Sequence, residues 1–361
     1  MKKITFKNQF LIASAIALAS IFTSCEPKKN ETVAPFIQLP DSGVYIINEG
    51  SGKGTGSVGF YDRSTKKVTN DLYSVANDKA KLNDFVQSIN IINGKTYIVS
   101  NNVTKITVVN STNFKYINEI DGFAMPRYML PISNSKAYVS QWGATGNDGS
   151  VKVVDLSTNT ISKSITTGKG AEKMFKKGNY VYVTCNGGFE NDSVITIINT
   201  TTDVVEKTLT AGAKPSSIVE DANGNIWVLC SGKYNSDYTS LEKSASLVKI
   251  NPTTNTIEQT INFNDLSSTA SNLTINKDKN KLFFNFNGAI VSQNITSSTF
   301  DKTVVVNKDF YGLGIDPTTD IIYGADAGDY SSAGKVIRYN ISGAVIDTLK
   351  VGIAPNGFFF K

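Results

Sequence analysis

The chain has no histidine in 361 residues. That excludes Ser-His-Asp and Cys-His catalysis, and histidine-ligated zinc, copper or iron. Carboxylate, lysine or tyrosine chemistry and calcium remain. Two acidic clusters stand out, FENDS at 189–193 and DAGDY at 326–330. Neither has the spacing of a calcium loop, and Asp and Asn in connecting loops are chiefly turn formers. GSGKGTGS at 50–57 has the glycine density of a phosphate cradle, but no helical pattern follows it, so it reads as a flexible hairpin loop. Cys185 and Cys230 lie three residues after Tyr182 and Trp227 and read as small buried residues. A disulfide is the alternative in an oxidising compartment, opposed by the separation expected between equivalent points. Two thiols without histidine argue against a metal site. We therefore assign no catalytic residue, no metal and no cofactor. Aromatic rings, amides and a few charges remain, and these are binding chemistry.

The elements that position them follow from a repeat. Tyr45, Tyr97, Tyr138, Tyr182, Trp227, Phe283 and Tyr323 are each followed, five residues on, by Gly50, Asn102, Gly143, Gly187, Gly232, Gly288 and Gly328. Each aromatic sits in a short run rich in β-branched residues, and each partner marks a backbone expected to need positive φ. The anchors recur every 40 to 56 residues, the scale of a four-stranded propeller blade. A second apolar run follows each anchor, as in SVKVVDLST and SVITIINTT. A third, alternating run such as TISKSITTG suits an outer, half-exposed strand. A fourth, as in PRYMLPISNSK and KPSSIVEDANGN, leads into the next anchor and is the expected innermost strand. The stretch SVANDKAKLNDF (74–85) is the one candidate helical piece, or else an ordered loop.

The first blade begins directly with its anchor strand at Gly43, and the chain stops with APNGFFFK. That ending resembles the start of an inner strand. The expectation is an all-β, seven-bladed β-propeller over residues 41–361, its ring closed by the C-terminal strand joining blade one, so that no blade edge stays unpaired.

Loop length varies strongly on one face. EGSGKGTGS, WGATGNDGS, GGFENDS, SGKYNSDYTSLEKSAS and AGDYSSAG follow the anchors, whereas the opposite face has short turns such as NG and ANGN. Variation concentrated on one face marks the expected binding face. It would carry Trp142, Phe189, Tyr234, Tyr238 and Tyr330. The starts of the inner strands would add Gln87, Arg127, Tyr128, Lys173, Ser216, Asn272, Tyr311 and Asn356 around the channel mouth. Rings with amides and an arginine suit a large, flat, polar-edged ligand.

Residues 1–24 read as a secretory signal peptide, with Lys2, Lys3 and Lys7 before the apolar run LIASAIALASIF. TSC places small residues before Cys25, the pattern of a bacterial lipoprotein. Acylation there would hold the chain on a membrane. Residues 25–40 read as the lipidated N-terminus and tether. The net charge of +5 falls near neutral once the leader's lysines are removed, so nothing argues for nucleic acid.

YIINEG (45–50), DFVQSI (84–89), MPRY (125–128), AYVSQWG (137–143) and APNG (354–357) resemble the YVTN-type, YncE-like propellers that occur as lipoproteins in Bacteroidetes. One branch, the BtuG proteins, captures cobalamin for a TonB-dependent outer-membrane transporter. The resemblance implies a non-enzymatic capture lipoprotein on the outer membrane, surface-exposed or facing the periplasm. Its implied partners are such a transporter and cobalamin or a related corrinoid. It also carries a ligand-binding expectation onto Asn48, Glu49, Gln87, Arg127, Tyr128 and Trp142. The alternatives are an envelope scaffold for protein–protein interaction and a calcium-dependent lactonase or lyase-type propeller enzyme.

Overall fold

The structure is a computed structural model and describes residues 37–361 except Lys53. The expected signal peptide, Cys25 and most of the tether lie outside the described residues. Seven four-stranded antiparallel sheets form the blades of a propeller. Blade three shows the pattern, from the channel outward: Pro126–Pro131, Lys136–Gln141, Ser150–Asp155 and Thr160–Thr166. Blade five carries an extra hairpin, Lys233–Tyr234 with Leu241–Lys243. Among the described residues, no helix is long and apolar enough to cross a membrane.

All seven anchor aromatics are buried in the second strand of their blades. Burying each ring fully removes apolar surface worth about 2–3 kcal/mol. Several also tie blades together. The Tyr138 hydroxyl donates to Asp203 and that of Tyr182 to Asn255, each in the next blade's outer turn. Tyr45 reaches the Ser111 carbonyl in the same way. These turns are themselves encoded by an Asp or Asn whose side chain accepts the backbone N–H two residues on, as Asp155 does from Ser157. Four residues after that Asp or Asn, the backbone is left-handed at Lys66, Phe114, Asn159, Asp203 and Asn255.

The expected positive φ holds at the six anchor glycines; Asn102 does not adopt it. In blade six the glycine completes a two-residue hairpin, Asn287–Gly288, with φ of 51° and 71°.

Pro355–Phe360 pairs with Gly43–Asn48 and closes the ring. Arg63 braces the seam, donating to Asp316 of blade seven at 3.1 and 2.8 Å and to the Lys361 carbonyl at 2.8 Å. Two boundaries differ from expectation. The fold begins before residue 41, because the apolar Leu39 packs into the core beside Tyr45 and its N–H donates to the Thr112 carbonyl. The helix is Leu72–Ala76, not 74–85: Asp71 caps its start, and Asp78 and Lys79 turn left-handed just past its end.

Candidate functional site

A repeated irregularity builds the channel mouth. The inner strands pair regularly with their anchor strands except near their first residues, where the register slips. The slips fall between Val86 and Ser88, Pro126 and Met129, Ala171 and Met174, Pro215 and Ser217, Ser271 and Thr274, and at Asn356. These are β-bulges, which re-aim side chains out of the pleat. The re-aimed residues include Gln87, Arg127, Tyr128, Glu172, Lys173, Ser216, Asn272 and Asn356, and all of these line a cavity of about 370 Å³. Just before five of the bulges the backbone is left-handed, at Phe85, Met125, Gly170, Lys214 and Ala354. Its carbonyl accepts the N–H of the residue four after the anchor, as Met125 does from Trp142 at 3.1 Å and Ala354 from Glu49 at 2.9 Å. In blade seven the inner strand pairs without a bulge, and Tyr311 comes from just ahead of it. There Gly312 lies so close to Asn356 that a Cβ would come within 2.4 Å of its backbone.

Arg127 and Glu172 form the polar centre. The guanidinium donates through Nε and Nη2 to the two carboxylate oxygens at 2.9 and 2.8 Å, and Trp142 Nε1 donates to Oε2 at 2.7 Å. The guanidinium carbon lies 4.2 Å from the Trp142 ring centroid, a cation–π stack. Phe189 meets the indole edge-on at 5.5 Å. Burial opposes the arginine's charge, and Glu172 outweighs it and raises the Arg127 pKa. Tyr128 accepts from Gln87 Nε2 at 3.0 Å, and burial, then Glu172, push its pKa well above the usual phenol range. The Tyr311 hydroxyl donates to Glu49, and burial with that carboxylate raises its pKa too. Both phenols therefore keep their protons at neutral pH. Lys173 stands with its ammonium 5.7 Å from the Tyr128 ring centroid, and burial lowers its pKa.

Two aromatic-walled depressions flank this cavity. One, of about 530 Å³, shares Ser231 and Ser271 with it and carries Phe189, Tyr234 and Tyr238. The other, of about 540 Å³, shares Ser271, Asn272 and Tyr311 and carries Tyr330, which packs edge-on to Tyr311 at 5.0 Å.

Of the residues expected from sequence, Glu49, Gln87, Arg127, Tyr128, Trp142, Asn272, Tyr311 and Asn356 meet in the central cavity. Phe189, Tyr234, Tyr238 and Tyr330 form the flanks. Asn48 is not with them. It is fully buried, donates to Ser57 Oγ at 3.2 Å, and packs where a Cβ on Gly352 would collide with it. It sits one residue before the chain reaches the face, so its side chain turns into blade one. Asn272 has its amide committed to the Tyr311 carbonyl at 3.0 Å, and Asn356 to Val86 at 3.1 Å. Both frame the mouth through these bonds. Glu172 was missed, although its place is two residues after a left-handed position, as Arg127 follows Met125.

GSGKGTGS does present convergent backbone donors, but they already hold an anion. The N–H groups of Gly54, Thr55 and Gly56 donate to the Asp84 carboxylate at 2.6, 2.7 and 3.2 Å. The loop is thus held at its tip and not a free hairpin. Cys185 and Cys230 are buried and free. Among the described residues no cluster of three or more Cys, Asp or Glu could hold a metal ion. The two carboxylates in the mouth, Glu49 and Glu172, are both hydrogen-bonded to neighbouring side chains.

The profile of a family described as "Domain of unknown function (DUF5074)" matches residues 42–360. No curated protein matches the sequence. Solved structures share the fold at low identity. A quinonprotein alcohol dehydrogenase-like protein from Bacteroides thetaiotaomicron is 15% identical with a TM-score of 0.61, over 88% of this chain and 78% of that one. A protein from Lactobacillus plantarum is 12% identical with a TM-score of 0.63, over 89% and 99%. The computationally designed Ika8 protein is also 12% identical, with a TM-score of 0.58, over 90% and 93%. That a designed protein matches as well as natural ones shows how little the fold alone says about activity.

Proposed function

We propose that this chain, which belongs to the DUF5074 family, captures a large, flat, polar-edged ligand at the mouth of its propeller without transforming it. Cobalamin or a related corrinoid is the leading candidate. The carrying observation is the continuity of the face: a preformed polar cavity runs on both sides into depressions walled by Phe189, Tyr234 and Tyr238, and by Tyr311 and Tyr330. Each is large enough for a small ligand, and together they suit one much larger. In this reading, acylation at Cys25 holds the protein to the outer membrane, and a TonB-dependent transporter receives the ligand.

Calorimetric titration with cyanocobalamin tests it. Sub-micromolar one-to-one binding is expected. Tyr128→Ala combined with Trp142→Ala should weaken it by on the order of 1–3 kcal/mol per ring while the ring of blades stays folded. No heat at several temperatures, with no co-elution, removes the corrinoid. A scaffold role would then lead, tested by pull-down of envelope partners.

A further inference from the structure

The four charged residues of the central cavity, Glu49, Arg127, Glu172 and Lys173, balance in number but not in contact. Arg127 and Glu172 neutralise each other, and both Glu172 oxygens are occupied by Arg127 and Trp142. Tyr311 serves Glu49. Lys173 has no acidic partner and no hydrogen-bond acceptor among the described residues, yet it is half-buried in the cavity wall. Lys214 lines the adjoining depression and, among the described residues, donates only to the backbone carbonyl of Glu190 at 2.7 Å. Burial lowers the pKa of both lysines. Lys214 also occupies a left-handed backbone position, φ 55°, that its blade-four counterpart fills with Gly170. Phe85, Met125 and Ala354 take the same conformation, so it belongs to the bulge and fixes where the Lys214 side chain starts. Between the two lysines lie hydroxyls: Ser231, which lines both the central cavity and the adjoining depression, is 2.8 Å from Ser216 Oγ.

Two cations without carboxylate partners, beside paired hydroxyls in a partly desolvated wall, are the donor set of an oxyanion site. We infer that the blade-four and blade-five sector of the mouth, built from Lys173, Lys214, Ser216 and Ser231, binds an anionic oxygen group carried by the captured ligand, a phosphodiester or a carboxylate. The inference deepens the capture reading and rests on it for the rest of the ligand. It also orients the ligand: the anionic arm lies toward blades four and five, and Glu49 with Tyr311 faces it across the mouth.

The test uses the purified full chain, with inorganic phosphate and succinate as probes and cyanocobalamin and dicyanocobinamide as the corrinoid pair. The second corrinoid lacks the phosphodiester. Phosphate or succinate binding should weaken at least tenfold in Lys173→Gln and several-fold in Lys214→Gln. It should persist in Lys173→Arg and be unchanged in Lys95→Gln, on the opposite face. Whichever small anion binds tighter identifies the source of the charge. Thermal melts of each variant separate lost binding from lost folding. Small-anion binding that is absent, or equal in wild type and folded Lys173→Gln, overturns the site. If cyanocobalamin still binds in that case, and no better than dicyanocobinamide, the capture reading survives alone. Lysine-dependent anion binding with no corrinoid binding keeps the site and removes the corrinoid.

Discussion

Glu172→Gln is the sharpest test of how the mouth is held. The substitution keeps the shape of the side chain and one acceptor oxygen but removes the charge. In the wild type, two carboxylate oxygens accept three bonds: Arg127 Nη2 on one, and Arg127 Nε with Trp142 Nε1 on the other. The two side chains are only 12% and 6% exposed, so water cannot replace the lost partner readily. Breaking a buried pair from one side costs about 3–5 kcal/mol, because the remaining charge stays buried without compensation. The glutamine oxygen recovers part of that, which leaves about 3 kcal/mol. For a domain of this size that corresponds to a fall in Tm of about 4–5 °C. Urea unfolding followed by far-UV circular dichroism would show a lower midpoint at unchanged slope. The companion variant is Arg127→Met. If the cost is an uncompensated guanidinium, the double substitution should be well short of additive, with a coupling above about 1.5 kcal/mol. A Glu172→Gln protein within about 0.5 kcal/mol of wild type, or strictly additive costs, would refute the reasoning.

Three further outcomes follow from the same geometry. Asp84→Asn should loosen the 50–57 loop, seen as faster limited proteolysis there, and cost about 1–2 kcal/mol through the weakened acceptor. Burial opposes the Asp84 charge, but the bonds from Gly54 and Thr55 outweigh it, so its folded pKa lies below the usual 3.8. Its contribution is therefore complete at neutral pH and lost as pH falls through that lower value, and protease sensitivity of the loop should appear only in strong acid. Removal of residues 355–361 should unpair Gly43–Asn48 and strip Arg63 of its Lys361 partner, and hydrogen exchange should show protection lost across blade one. Burial pushes the Cys185 thiol up to about 11 and the Cys230 thiol up to about 12, so neither should react with a thiol reagent at pH 8 until urea unfolds the chain.

The architecture was legible because the same physical demand recurs at every blade. A buried ring in a β-branched run, then a turn needing positive φ, is a pattern no other use of Tyr45 through Tyr323 would repeat. It failed at Asn102, which tolerates positive φ without requiring it, and whose blade turns without it. The site was legible where a loop or strand start carried an aromatic or an arginine. It was not legible at Glu172, beside the expected Lys173, because GAEKM reads as an ordinary charged stretch. Only the bulge separates the two from the strand and turns both toward the channel. Asn48 shows the reverse error. Its neighbour Glu49 does reach the mouth, but alternation along a strand sends the residue before it to the other side.

The bulges explain why the mouth can be rigid although its surroundings are loops. A left-handed backbone at Phe85, Met125, Lys214 and Ala354, with φ of 58°, 50°, 55° and 49°, costs on the order of 1 kcal/mol at each non-glycine residue. Glycine would relieve that cost, as it does at Gly170, yet four of the five positions keep a side chain. What the conformation secures is direction. Two residues later the chain presents Gln87, Arg127, Glu172, Ser216 or Asn356 to the channel, anchored by a backbone bond to the neighbouring strand. The polar floor is thus set by strand geometry, shared among blades and insensitive to loop sequence. The flanking aromatics Phe189, Tyr234, Tyr238 and Tyr330 lie on the loops, where exposure of 40–78% leaves them free to vary. A fold divided in this way can hold one charged framework constant and change the size and shape of the surrounding face by altering loops alone.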